Sequence, residues 1–108
     1  MKANEYQEQA EATNLVTGEN ALTYAALGLV GEAGEIANKA KKIIRDDNNI
    51  VTDEKRAAIK KEIGDVLWYV SRICSELGFT LEEVMEQNLA KLSKRQAEGK
   101  LQGDGDNR

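Results

Sequence analysis

Four acidic side chains, Glu32, Glu35, Glu62 and Asp65, are the residues of this chain best suited to chemistry. They form two E-x-x-(E/D) pairs, with 26 residues between Glu35 and Glu62. On a helix, positions i and i+3 share a face, so each pair presents two carboxylates in one direction. Two such helices packed face to face would gather four oxygen donors around one point. Hard oxygen donors suit Mg2+, with Mn2+ the alternative, and a divalent ion there suits phosphate chemistry.

Glutamate is common on solvated helix faces, where its ion pairs contribute little. The neighbours argue for more than that. Glu35 has Lys39 at i+4 and Asp65 has Lys61 at i−4, but Glu32 and Glu62 have no basic residue at i±3 or i±4. Both also border apolar arcs, which predicts that they point toward packed interior. Like charges brought together there repel and require a counter-charge. A divalent cation would supply it. Gly28, Gly31 and Gly34 recur every three residues on the same helix, where each costs about 1 kcal/mol relative to alanine. Close approach of a helix or ligand would offset that cost; a helix kink is the other explanation. Gly64 suggests the same close packing beside Glu62 and Asp65. No phosphate-binding loop is present, because the glycines lack a following G-K-(S/T).

Four helices are expected to carry these residues. The first covers about Asn4 to Asn14, and Thr17-Gly18-Glu19-Asn20 reads as a loop with Asn20 as an N-cap. The second runs from about Ala21 to Arg45 with an apolar stripe of Leu22, Ala26, Leu29, Ala33, Ile36 and Ala40. Asp46-Asp47-Asn48-Asn49 stops it. The third starts at Thr52 or Asp53 and ends at Leu77, with Gly78 as C-cap and a stripe of Ile59, Ile63, Val66, Val70, Ile73 and Leu77. Thr80-Leu81-Glu82-Glu83 fits a capping box that opens a fourth helix to about Glu98. Residues 1–98 form one helical domain and 99–108 a polar tail. Leu27, Val30, Leu67 and Trp68 fall outside the stripes, so the subunits are expected to oligomerise through helix faces.

Composition narrows the functions. With 41% hydrophobic and 31% charged residues and no proline, the chain reads as an all-α, four-helix-bundle-like subunit. A net charge of −4 and 5% aromatic residues do not suit a nucleic-acid binder. The absence of histidine removes Ser-His-Asp and Cys-His catalysis, the usual zinc sites and the E-x-x-H di-iron site. Cys74 alone fits a reducing, cytoplasmic setting and reads as a buried hydrophobe. No secretion signal is apparent, and no apolar run approaches the roughly 20 residues of a membrane span.

Taken together, these residues make the chain resemble the MazG-like nucleoside triphosphate pyrophosphohydrolases of the all-α type. The carriers are Gly31-Glu32-Ala33-Gly34-Glu35, the run Glu62-Ile63-Gly64-Asp65-Val66-Leu67-Trp68-Tyr69, and Asn88-Leu89-Ala90-Lys91-Leu92-Ser93-Lys94-Arg95. The similarity spans about Tyr6 to Arg95. It implies an enzyme that cleaves a (deoxy)nucleoside triphosphate between the α and β phosphates, with Mg2+ or Mn2+ on Glu32, Glu35, Glu62 and Asp65. Glu35 is the expected general base, and a homodimer or homotetramer is implied. The resemblance also gives Asn88 to the nucleotide, and Lys91 and Arg95 to its phosphates, although Arg95 also reads as part of a solvated face. Gln7 would face the base. The Tyr69 hydroxyl either reaches phosphate or sugar or marks a core edge; Trp68 either stacks on a base or packs at an interface. House-cleaning of nucleotide pools is the role implied. Phosphoribosyl-ATP pyrophosphohydrolase and a non-catalytic helical adaptor are the rival readings.

Overall fold

In the computed structural model, which describes residues 1–107, the chain forms α1 (Ala3–Ala12), α2 (Ala21–Asp46), α3 (Asp53–Leu77) and α4 (Leu81–Ala97). No strand occurs among the described residues, so the all-α expectation is met. The last residue of the expected tail, Arg108, lies outside them.

Local chemistry sets three of the helix ends. The Thr52 side chain accepts from the Lys55 N–H at 3.1 Å and starts α3. Gly78 ends it in the left-handed region at φ 80°, a conformation glycine adopts without steric cost. The Thr80 side chain accepts from the Glu83 N–H at 3.1 Å and opens α4. Two ends differ from expectation. Asn20 stands at the N-cap of α2, but its side chain makes no capping bond. The first helix stops at Ala12 rather than Asn14, because the Thr13 hydroxyl donates to the Ala10 carbonyl and Asn14 bonds Val16 instead.

The α2–α3 hairpin is the centre of the fold, and α2 packs on α3 alone. Along α2 the covered positions include Ala21, Ala25, Gly28, Glu32, Ile36, Lys39 and Ile43, with Leu29 of the expected stripe also half-buried; along α3 they include Lys55, Ile59, Glu62, Val66, Tyr69 and Ile73. These are heptad-like lines at i+3 and i+4 spacing. The stripes expected from hydrophobicity are only partly covered. Leu22, Ala26, Ala33 and Ala40 on α2, and Ile63 and Leu77 on α3, are exposed. The packing line is displaced around α2 because it runs through two charged residues, Glu32 and Lys39.

The other helices attach along the outer side of α3. Buried Arg72 pairs with Glu11 of α1 and, at 2.6 Å, with Glu76 one turn along its own helix. Gln7 ties α1 to the α3–α4 turn: its amide donates to Ser75 Oγ and the Phe79 carbonyl, and its oxygen accepts from the Leu81 N–H at 2.7 Å. Trp68 Nε1 donates to Thr13 Oγ1 at 2.8 Å.

Few apolar residues are enclosed. Ala10, Ala21, Ala25, Ile43, Cys74 and Leu81 make up the fully buried apolar set. A closed globule of this mass exposes about 6,000 Å2, whereas this chain exposes 8037 Å2. Its radius of gyration is 16.8 Å, against about 13 Å for a chain of this length. The single subunit is open.

Candidate metal centre

The two acidic pairs lie on the packed hairpin. Glu32 falls on the α2 packing line and Glu62 on that of α3, both partly covered, while Glu35 and Asp65 are one position around and exposed. Glu32, Glu62 and Asp65 each offer a carboxylate oxygen within 4.8 Å of the others. This all-oxygen, acidic donor set fits a hard divalent cation. Glu35 is outside the three-acid group.

The counter-charge is partly internal. Lys39 Nζ lies 3.8 Å from Glu35 Oε2 and 3.2 Å from Glu62 Oε1, so the cation of α2 serves Glu62 across the seam. Sequence spacing within one helix could not reveal that pair. Among the described residues, Asp65 makes no ion pair with Lys61.

The Glu32 and Glu62 carboxyls act on each other across the seam. Their mutual hydrogen bond is the main reason that the Glu32 carboxyl is held above its ordinary value; burial and the charges of Asp65, Glu62 and Glu35 add to it. The same bond, followed by Lys39, holds Glu62 below its own. Folded Glu32 therefore keeps its proton to higher pH than unfolded Glu32. That contribution to stability is complete below the ordinary value of 4.5 and is lost as pH rises through the raised one. Without added metal, the melting temperature of the wild type should fall more steeply from pH 4.5 upward than that of Glu32→Gln, whose amide donor cannot ionise. Parallel slopes in thermal melts with a chelator would contradict the raised Glu32 carboxyl.

Glycine matters at one of the four positions. A β-carbon on Gly28 would clash with the edge of the Tyr69 ring, whereas Gly31, Gly34 and Gly64 face open space among the described residues. The expected close packing at those three is thus absent among the described residues. Gly28 lets the Tyr69 ring lie on the α2 backbone, with Tyr24 beside it. Desolvation is the first cause that raises the Tyr69 hydroxyl above its ordinary value, followed by Tyr24, Glu32 and Asp65. Gly28→Ala should cost about 1–2 kcal/mol, because overpacking outweighs the gain in helix propensity. In a Tyr69→Ala background the same change should be neutral or stabilising. Equal destabilisation in both backgrounds, in denaturant titrations, would refute the contact.

The α4 residues sit apart. Asn88 and Lys91 line a cavity of about 240 Å3 with Val84, Gln87 and Asp106. The Asp106 carboxylate takes Lys91 at 2.6 Å and Arg95 at 3.1 Å, folding the tail back onto α4. Arg95 is buried. No bond or ion pair joins these residues to the four acids within the described chain. Gln7 has its amide committed to the α3–α4 turn, as described above, and lines a separate cavity of about 350 Å3 with Glu11 and Ser75. Trp68 meets Tyr69 edge-on at 5.0 Å between centroids. The Gln7, Trp68 and Asp106 contacts carry no signal in sequence spacing, since each joins distant segments.

The MazG nucleotide pyrophosphohydrolase domain model matches residues 20–99, the stretch that holds all four acids and the whole of α2, α3 and α4. The chain belongs to this family. As a MazG-family pyrophosphohydrolase it is a hydrolase of nucleotide anhydrides. It is also similar to the Gene 37 protein of Mycobacterium phage L5, 51% identical over 87 residues, which are 81% of this chain and 76% of that protein. No solved structure matches. No helix of the described residues is long and apolar enough to cross a membrane.

Proposed function

We propose that this pyrophosphohydrolase cleaves (deoxy)nucleoside triphosphates between the α and β phosphates, releasing a monophosphate and pyrophosphate. The observation that carries the reading is the three-acid group, Glu32, Glu62 and Asp65, within 4.8 Å on two packed helices. These three would hold Mg2+, or Mn2+, which neutralises the triphosphate and polarises the phosphorus under attack. Glu35 stands beside that group but outside it, which leaves its carboxylate available to take a proton from the attacking water. The Tyr69 hydroxyl, at the edge of the same seam, would bond phosphate or sugar.

Asn88, Lys91 and Arg95 would supply the nucleotide and phosphate contacts. Incoming phosphate oxygens would replace the Asp106 carboxylate on Lys91 and Arg95. Because α4 stands away from the acids in one subunit, we assign the complete site to a homodimer or homotetramer. Support comes from the open shape of the chain and from the exposed apolar side chains Leu27, Val30, Ile44, Ile63 and Leu89. Gln7 would face the base only if it gave up its bonds to the α3–α4 turn. The buried thiol of Cys74 suits a reducing cytoplasm, and removal of unwanted nucleotides is the role we favour.

Incubation with Mg2+ and a panel of nucleoside triphosphates, with pyrophosphate release as the readout, tests this reading. Release from one or more triphosphates supports it. Turnover of phosphoribosyl-ATP alone would favour the histidine-pathway reaction instead. A folded protein with no turnover of any nucleotide and no metal-induced thermal shift would refute it.

A further inference from the structure

The seam between α2 and α3 holds a cation to which the proposed reaction gives no task. Lys39 reaches one acid of each pair, Glu62 at 3.2 Å and Glu35 at 3.8 Å. Its side chain is 24% exposed and that of Glu62 is 18% exposed, so solvent screens the pair less than a surface one. Glu62 also belongs to the three-acid group. One carboxylate therefore faces both an ammonium and the point where a divalent ion would sit. Two cations a few ångströms apart repel each other, so occupancy by one weakens the other.

We propose that Lys39 is a resident counter-ion that holds Glu62 in place of the divalent ion and must release it when the ion binds. The inference rests on the metal reading given above. Released from Glu62, the partly exposed ammonium can turn to solvent, which leaves Glu35 to take the proton. A lysine suits this task because its charge sits on a flexible four-carbon stem; arginine would grip the carboxylate through a planar fork. Before the ion arrives, Lys39 offsets the repulsion between acids on facing helices and keeps the hairpin closed. The cost is a weaker grip on the ion.

The test is calorimetric titration of the full chain with MgCl2 and MnCl2, without nucleotide, on the wild type, K39Q and K39R. K39Q should bind the ions about three- to tenfold more tightly than the wild type, the size of effect expected for a half-screened charge. It should also melt at a lower temperature in a chelator, and the gap should narrow in saturating metal. K39R should bind no more tightly than the wild type. Binding by folded K39Q that is equal to or weaker than wild type overturns the proposal. A second measurement uses only the wild type: acylation of Lys39 by an amine reagent, read by peptide mass spectrometry, should speed up when Mn2+ is added. Unchanged or slower labelling overturns the proposal even if K39Q fails to fold. A wild type that binds neither ion overturns the metal reading as well, whereas a wild type that binds while K39Q gains nothing overturns only the role of Lys39.

Discussion

Asp65→Asn and Glu62→Gln should each lower pyrophosphate release by about a thousandfold or more, because losing a metal ligand removes several kcal/mol of transition-state stabilisation. Each replacement keeps the size of the side chain and removes its negative charge. Asp65→Asn is the cleaner variant: Asp65 is exposed and has no ion pair among the described residues, so folding should be unaffected. Glu62→Gln also strands Lys39, so it should lose some stability along with activity. Glu35→Gln should behave differently. Since Glu35 stands outside the three-acid group, its loss should spare ion binding and depress kcat. Ion affinity from calorimetry and turnover from pyrophosphate release separate the two roles. Turnover by Asp65→Asn within tenfold of wild type would remove Asp65 from the site.

Ile63→Glu should convert the assembled protein to a monomer and lower its melting temperature by about 10 °C or more, as burial of an unpaired charge costs a few kcal/mol. The reasoning is one of area. The subunit exposes about 2,000 Å2 more than a closed protein of its mass, within the range that obligate subunits cover on association. Ile63 is 54% exposed and lies one position beyond the Glu62 packing line, where a second copy can cover it without disturbing the acids. Among the described residues six apolar ones are fully enclosed, so the lone subunit has little core to resist unfolding. Light scattering of the wild type should give at least twice the chain mass, and that of Ile63→Glu the chain mass. A wild type that is monomeric at micromolar concentration, or a variant with unchanged mass and melting temperature, would refute the assembly.

Much of the architecture was legible from residue types alone. Thr52, Gly78 and Thr80 cap their helices through local chemistry that needs no tertiary partner, so the boundaries of α3 and α4 followed from the sequence. The expected bounds of α2 also lie within one residue of those observed, whereas α1 stops two residues early because Thr13 and Asn14 take local side-chain bonds. Cys74 reads as a buried hydrophobe from its apolar neighbours; it is buried, and desolvation raises its thiol above the ordinary value. The orientation of α2 was misleading. Hydrophobic periodicity marks Leu22, Ala26, Ala33 and Ala40, yet these face outward.

By itself the sequence determined the helical class, the pairing of acids at i and i+3, and the family to which those pairs belong. Each rests on contacts within one helix or on motif identity. Only the tertiary structure decided which acids meet: Glu32, Glu62 and Asp65 converge, and Glu35 stands aside. It also decided that Lys39 answers Glu62 across the seam and that Gly28 alone of the four glycines is pressed by a side chain. The physical reason is the rotation of α2 about its axis. Helical spacing fixes which residues share a face, but the energy of packing against α3 selects which face turns inward.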